Sequence, residues 1–442
     1  MLTDPVQYSI VGDSAATIVR SVEHGVSSGA LAPGEPVPSV RALARDLGVS
    51  PTTVAGAYRD LRQRGILVAH DRSRTVVGHR PALASRLAPP LPPDALDLTS
   101  GNPDPDLLPD LGPALQAVGP VHRLYGDDPG VPALLDLARE AFAADGLTTD
   151  HLAVVGGALD GIERVLEVHL RIGDRIGLED PGYAGSLDLT RALGLVPVPI
   201  EIDDQGPVPA SLAEALDQGV EALLLVPRAQ NPYGAALTAE RAAELRPLLD
   251  AHPDVLLIED DHASSVAGAP VVTLTRGRQR WAVVRSAAKA LGPDLRVALL
   301  AGDEDTVLRV LGRQRLGTGW VSHLLQRLTA EVWRRAVDEG TLAAATDAYA
   351  RRRDALLAAL AEHDLVGHGG TGMNVWVPVD EEAPVVQGLL ARGWAVQPGE
   401  PYRIDASPAI RVTVSTLPPE DAPVLAADLA DVLGTTLGTR RG

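Results

Sequence analysis

The stretch Val283–Gly302, VVRSAAKALGPDLRVALLAG, decides how this chain is read. An apolar run leads into Ser286, Lys289 and Arg296, a hydroxyl, an amine and a guanidinium at spacings of three and seven. Of the 39 Lys and Arg residues in the 442-residue chain, only Lys289 is a lysine. A bias that turned lysine into arginine wherever charge alone mattered explains the count. Arginine cannot replace lysine as a nucleophile, because guanidinium stays protonated. A lysine kept under that bias is a candidate for covalent chemistry by Schiff base.

Working outward, residues 95–442 alternate short apolar runs with helical stretches. The runs are His151–Val155, Arg175–Leu178, Ala222–Val226, Val255–Ile258, Trp281–Val284 and Val297–Leu300. Runs of this length before Gly, Pro or Asp turns read as buried parallel strands of an α/β domain. From about Asp303 to His363 the pattern is helical, and Met373–Pro378 and Ile410–Val414 read as strands of a smaller α+β part. Ligands of such sheets bind beyond the carboxyl ends of the strands. Gly156-Gly157-Ala158 follows one strand and opens a helix, which reads either as a plain turn or as a site whose free N–H groups suit a phosphate. Ile258-Glu259-Asp260-Asp261-His262 sets acids directly after another strand, where a buried carboxylate needs a cationic partner. A helix cap or a metal site would also account for acids there, but no compact second set of ligands accompanies them. One ligand satisfies all three places: a phosphate, a group that forms an imine, and a ring nitrogen that wants an acid. Pyridoxal 5'-phosphate (PLP) has these parts, and a carboxylate at its ring nitrogen makes the ring an electron sink.

Residues 95–442 resemble the fold-type I aminotransferases. The segment quoted above is similar to that family's Ser-x-x-Lys…Arg motif, which implies an internal aldimine on Lys289 and a phosphate held by Ser286 and Arg296, with Gly157 and Ala158 donating N–H groups. VPRAQNPYGAALT resembles the Asn-Pro-x-Gly motif, so Asn231 is expected on the pyridoxal ring oxygen. The IEDDH resemblance assigns Asp260 to the pyridine nitrogen, and LEDPGYAG assigns Tyr183 as the stacking aromatic. YGDDPG implies that Tyr125 reaches a phosphate across a dimer interface. IRVTVST implies that Arg411 clamps a substrate carboxylate, a role suited to a bidentate guanidinium. SGNPDP places Asn102 on the substrate side. His262 departs from the pattern, standing where the family commonly has a Tyr that bonds the ring oxygen. Imidazole there is expected either to donate a similar bond or to change the pH at which the aldimine ionises.

The N-terminal part differs in character. Residues 1–80 carry nine Arg and seven acids, net +2, whereas the rest carries 30 basic and 51 acidic residues, net −21. Between them, five of the thirteen residues Pro81–Pro93 are proline, the composition of a semi-rigid polyproline linker. The expected organisation is a DNA reader over 1–78, a Pro-rich linker over 79–94 and a body over 95–442. Within the body a large subdomain covers about 95–310 and a small one about 311–442. Ser14, Ser39 and Ser50 can each cap a helix, Gly48 supplies a tight turn, and Pro51 suits a first helical position. Val54, Tyr58 and Leu61 form a buried stripe, and Ile66–Val68 can pair with Thr75–Val77. Helix, short turn, helix and basic hairpin outline a winged helix-turn-helix, whose second motif helix enters the major groove. Arg59 on that helix and Arg72 and Arg74 at the wing are its expected DNA contacts. The same outline also fits a small helical domain with a solvated arginine face.

GALAPGEPVPSVRALARDLGVSPTTVAGAYRDLRQRGIL, residues 29–67, is similar to the GntR family of bacterial DNA-binding domains. The resemblance assigns DNA contacts to Ser39, Arg41, Ser50, Thr52 and Thr53. Two departures stand out: Pro51 replaces the family's usual Arg, removing a bidentate base contact, and the wing lacks the usual glycines. A GntR-type reader joined to an aminotransferase-like body is the organisation of the MocR subfamily. That implies a bacterial, cytoplasmic transcription regulator holding PLP on Lys289, a homodimer on an operator duplex. Its effector would be a carboxylated amine, displacing Lys289 by transimination, or PLP itself. The alternatives are a working aminotransferase with an accessory N-terminal domain, and a DNA-binding protein with an empty structural body.

Composition bounds the rest. The apolar fraction is 45% and the charged fraction 22%, as in soluble globular proteins. The absence of cysteine excludes disulfide scaffolds, thiolate metal sites and cysteine nucleophiles. No apolar run approaches the roughly 18 residues of a membrane span, and MLTDPVQYSI lacks a signal-peptide pattern. A net charge of −19 argues against nucleic-acid binding through the whole surface.

Overall fold

The computed structural model describes residues 8–27, 30–32, 34–63, 66–70, 74–77, 91–119, 122–147 and 150–439. The chain divides into two compact units, residues 1–87 together with 171–174 and 190–196, and the remainder of the body. In the first, helices Ala15–Ser27, Val40–Leu47 and Pro51–Gln63 precede the antiparallel strands Leu67–His70 and Arg74–Val77. Their apolar stripes meet in one core, with Ile18, Val22, Val54, Tyr58 and Leu61 all but inaccessible. Ser39 caps the second helix by accepting from Ala42 N at 3.2 Å, and Gly48 ends it at φ 68°. Ser50 accepts from Thr53 N at 3.1 Å at the start of the third. Tyr58 donates its hydroxyl to the Pro38 carbonyl at 2.8 Å, tying that helix to the strand-like segment before the second. That segment pairs with the wing through Val37 N to Thr75 O at 3.0 Å and a bridge between Pro36 and Val76. Arg41, Ser50, Thr52 and Arg59 are exposed and Thr53 partly so. Arg72 and most of the linker lie outside the described residues, as does the side chain of Arg74.

The body is built on an eight-stranded sheet. Its order is Leu152–Val155, Ala298–Gly302, Trp281–Ser286, Leu256–Asp261, Ala222–Leu225, Arg175–Asp180, Val196–Asp203 and Gly206–Pro207. Trp281–Ser286, Leu256–Asp261, Ala222–Leu225 and Arg175–Asp180 run parallel. Ala298–Gly302, expected to be parallel like the rest, is antiparallel to both neighbours. The reason is length: only residues 287–297 connect it to the strand before, too few for the crossover that parallel pairing needs. Helices Glu304–Arg315, His323–Asp338 and Thr341–Glu362 follow. A three-stranded antiparallel sheet, Asn374–Pro378, Ala409–Thr413 and Gln397–Pro398, forms the smaller layer. The body's first strand, Leu96–Asp97, pairs with Trp394–Ala395 in this smaller part.

Helix Ala158–His169 lies on the sheet at Gly161, where an added Cβ would stand 2.9 Å from Val155 Cγ2 and 3.0 Å from Val284 Cγ1. Alanine is the better helix former by about 1 kcal/mol, so on an open helix face this change stabilises. Here Gly161→Ala forces the helix off two strands and is expected to destabilise the body by about 1–3 kcal/mol. Thermal denaturation checks the sign, and a rise in melting temperature would contradict the packing described.

Candidate functional site

Three places at the carboxyl ends of strands Leu152–Val155, Leu256–Asp261 and Trp281–Ser286 carry the expected residues. The first leaves Leu152–Val155. Gly157, at φ 116°, caps helix Ala158–His169 with no side chain, leaving the helix N–H groups open. Arg296 Nη2 donates to the Gly156 carbonyl at 2.9 Å, and a Cβ on Gly157 would stand 2.9 Å from that guanidinium. Ser286 lies at the end of its strand, its Oγ accepting from Ala288 N at 3.1 Å. A glycine cradle under a guanidinium and a helix N-terminus fits a phosphate.

The second connection carries the acids. They lie inside strand Leu256–Asp261, not after it, and all three are buried. Each meets a different fate. Glu259 accepts from Leu274 N at 2.7 Å and Thr273 Oγ1 at 2.9 Å, and burial still pushes it up to about 7. Asp261 takes a two-pronged contact from Arg228 at 2.8 and 2.9 Å and another from Arg285 Nε at 2.6 Å. Burial alone would raise Asp261, but the two guanidiniums hold it below the usual carboxylate range. Arg285 also reaches Asp145 at 2.5 Å and lies over the Phe142 ring, 4.5 Å from its centroid. Asp260 receives nothing comparable. Its Oδ1 is buried with no hydrogen-bond partner among the described residues. Burial, then the neighbouring Asp261 charge, raises it to about 7. A buried carboxylate left without a cation is the partner that a protonated ring nitrogen needs.

The third element is Lys289, in the short helix Ala288–Leu291. Its Nζ donates to the Gly101 carbonyl. Burial first, and Arg411 second, bring it down to about 8. His262 donates Nε2–H to the Ala229 carbonyl at 2.8 Å, and burial with the Lys289 charge lowers it to about 4. It is therefore neutral at ordinary pH, with its ring proton committed and Nδ1 left as an acceptor. The expected donation by imidazole to a ring oxygen would have to displace that bond. Ala229 itself sits at φ 51° and is fixed by Thr371, whose Oγ1 accepts from its N–H at 2.9 Å.

On the opposite side stands Arg411, 3% exposed, in strand Ala409–Thr413. It donates Nη1 to Asn231 Oδ1 at 3.1 Å and Nη2 to the Thr99 carbonyl, and it lies 4.7 Å over the Tyr402 ring centroid. Its Nε is buried without a partner among the described residues. Because Asn231 offers Oδ1 to Arg411, its amide nitrogen remains free to donate. Burial raises the Tyr183 hydroxyl, as does the nearby Asp260 charge, while Arg411 opposes them. Asn102 is exposed beside Gly101. Tyr125 is 93% exposed, and its ring packs edge-on against Trp320 at 5.5 Å. Sequence reasoning missed Arg228 and Arg285, although charged residues inside an apolar strand or before a Pro turn were a usable signal. Among the described residues no group of His, Asp and Glu could hold a metal ion, and no helix is long and apolar enough to cross a membrane.

The lone carboxylate gives a pH prediction. Folded Asp260 keeps its proton up to about 7, whereas an unfolded chain releases it near pH 4. The folded state holds the extra proton across that window, so Asp260 lowers cofactor-free stability as pH rises through it. Asp260→Asn escapes this penalty. Its melting temperature is expected to match wild type below about pH 4 and to exceed it most above about pH 7. The same variant is expected to bind PLP at least about tenfold more weakly, through loss of one charge-assisted bond. Melts at about pH 5 and about pH 8, with PLP titrations, check both halves.

Known proteins resemble both parts of the chain. Residues 14–77 match the bacterial regulatory proteins of the gntR family, and residues 93–429 match aminotransferase class I and II. The vitamin B6 salvage pathway transcriptional repressor PtsJ of Salmonella typhimurium is 36% identical over 428 residues, 96% of this chain and 99% of that protein. The pyridoxine biosynthesis transcriptional regulator PdxR of Corynebacterium glutamicum is 30% identical over 271 residues, 58% of each chain. An archaeal alanine:glyoxylate aminotransferase shares the fold with a TM-score of 0.71, at 24% identity, over 77% of this chain and 91% of that one. Likeness to PtsJ thus runs through both units, and likeness to this enzyme covers about three quarters of the chain. The chain belongs to the MocR-type transcription regulators, in which a gntR-family DNA-binding domain precedes a PLP-binding domain of the aminotransferase class I and II family.

Proposed function

We propose that this regulator reports the supply of PLP, and of carboxylated amines that react with it, to a DNA operator. The observation that carries the reading is a pair of buried polar atoms without a hydrogen-bond partner among the described residues, Asp260 Oδ1 and Arg411 Nε, in the pocket that holds Lys289. An acceptor and a donor left open in this way suit a ligand with a cationic ring nitrogen and an anionic carboxylate. When bound, PLP supplies a carbonyl carbon that condenses with amines and a ring that withdraws electrons.

The chain's residues divide the work. Gly157, Ala158, Ser286 and Arg296 hold the phosphate, Asp260 holds the proton on the ring nitrogen, and Tyr183 covers the ring. Asn231 donates to the ring oxygen, with His262 beside it. Lys289 provides the amine, and Arg411, with Asn102 nearby, receives an effector carboxylate. The exposed Tyr125 supports a homodimer in which it completes the neighbouring copy's phosphate site. Arg41, Ser50, Thr52, Thr53 and Arg59, exposed or partly so on the reader, would meet the duplex in the cytoplasm, together with Ser39, Arg72 and Arg74. The name of PtsJ, a vitamin B6 salvage repressor, favours PLP itself as one signal. Occupancy changes DNA affinity only insofar as the two states of the protein bind the ligand differently.

Two tests follow. PLP added to wild type is expected to give a visible absorption band that Lys289→Ala abolishes; a band unchanged in the variant would remove Lys289 from the site. Only the uncharged amine is nucleophilic, so the rate at which Lys289 captures PLP should rise with pH and level off above about 8. Arg411→Ala removes one of the two causes that lower Lys289, so its rate profile should move to higher pH. A profile that stays in place would contradict the placement of Arg411 beside the amine.

A further inference from the structure

The turn after strand Arg175–Asp180 does more than present Tyr183. Asp180 is buried, and its carboxylate accepts three successive backbone N–H groups: Ile404 at 2.8 Å, Asp405 at 2.7 Å and Ala406 at 2.8 Å. Two residues on, Gly182 N donates to the Tyr402 carbonyl at 2.7 Å. Gly182 has no room for a side chain, since a Cβ would stand 2.3 Å from the Glu179 carbonyl oxygen. Large-subdomain residues thus grip residues 402–406 of the small subdomain by four hydrogen bonds.

The gripped segment is also held from its own side. Glu382 accepts from Glu400 N at 2.8 Å, Arg403 Nε at 2.9 Å and Ala409 N at 3.2 Å. The segment so held carries Tyr402, whose buried ring meets Trp376 edge-on at 6.3 Å and has the Arg411 guanidinium on its face. Three consecutive amides converging on one carboxylate form a concave anion site with fixed geometry. Charge-assisted bonds of this kind are about twice as strong as neutral ones. The arrangement fixes Tyr402, and through it Arg411, relative to the wall formed by Tyr183.

We infer that Asp180 is a positioning residue for carboxylate recognition, acting on Arg411 through residues 402–406. This rests on the reading of Arg411 as the effector's carboxylate clamp. Asp180 does not touch the ligand. It sets the place of the guanidinium face, and bidentate capture of a carboxylate loses strength steeply when that face moves.

The test compares L-leucine with 3-methylbutylamine, which differ only by the carboxylate, as displacers of the visible band of the PLP-loaded full-length protein. Wild type is expected to prefer L-leucine, and Arg411→Ala to lose the preference. Asp180→Asn is expected to reduce it about tenfold or more, leaving the response to 3-methylbutylamine in place. Cofactor-free Asp180→Asn should also exchange the Ile404, Asp405 and Ala406 amide hydrogens faster. If Asp180→Asn fails to fold, Tyr402→Leu tests the same link and should lose the preference likewise. Loss of preference in Arg411→Ala with full preference in Asp180→Asn, or in Tyr402→Leu, overturns the inference. A preference that survives Arg411→Ala overturns the clamp reading itself, and this inference with it.

Discussion

The structure of the body turns on one electrostatic imbalance, the contrast between two neighbouring carboxylates on one strand. Asp261 is answered by two arginines, and Asp260 by none among the described residues. Alternate residues of a strand face opposite sides, so this single step in sequence separates a neutralised structural charge from an unneutralised one. Arg285 and Arg228 spend their charge on Asp261, with Arg285 shared by Asp145. Left without a cation, Asp260 is raised by burial and by Asp261 to about 7. On the proposed reading, a cationic ring nitrogen would answer this carboxylate. Arg411 poses the mirror-image demand, with Nε unanswered and a carbonyl and an amide oxygen already on its two other nitrogens.

Lys289 lies in the same balance. Burial and Arg411 both favour its uncharged form, and only that form can attack a carbonyl. His262 contributes no charge, because burial and the nearby Lys289 charge hold it neutral against the opposing effect of its bond to the Ala229 carbonyl. Arg411 thus helps to set the state of Lys289, whereas Asp260 is set by burial and by Asp261. On the proposed reading, a carboxylate that meets Arg411 would alter Lys289, a coupling of the kind a sensor requires.

Much of this was legible in the residues. Lys289 stood out by the lysine count, and Ser286 and Arg296 by their spacing from it. The helix caps Ser39 and Ser50 and the turn at Gly48 follow from local chemistry that needs no tertiary knowledge. The polarity of Ala298–Gly302 was not legible from periodicity, since parallel and antiparallel buried strands carry the same apolar run; connection length held the answer. The acids of IEDDH were misplaced by a few positions because apolarity ends before the strand does, and only the tertiary partners Arg228 and Arg285 make a charged strand end tenable. The hydrogen bond that commits His262 to Ala229 depends on a left-handed residue and on Thr371, more than a hundred positions away, and leaves no local trace in sequence.

The central claim is that Asp260 awaits a cation and that the PLP ring nitrogen provides it. The most direct measurement is the magnetic resonance shift of PLP labelled at the ring nitrogen, bound to the full-length protein at a pH where the free cofactor's nitrogen is unprotonated. The account predicts the shift of a protonated nitrogen in wild type and of an unprotonated one in Asp260→Asn. An unprotonated ring nitrogen in wild type would contradict it.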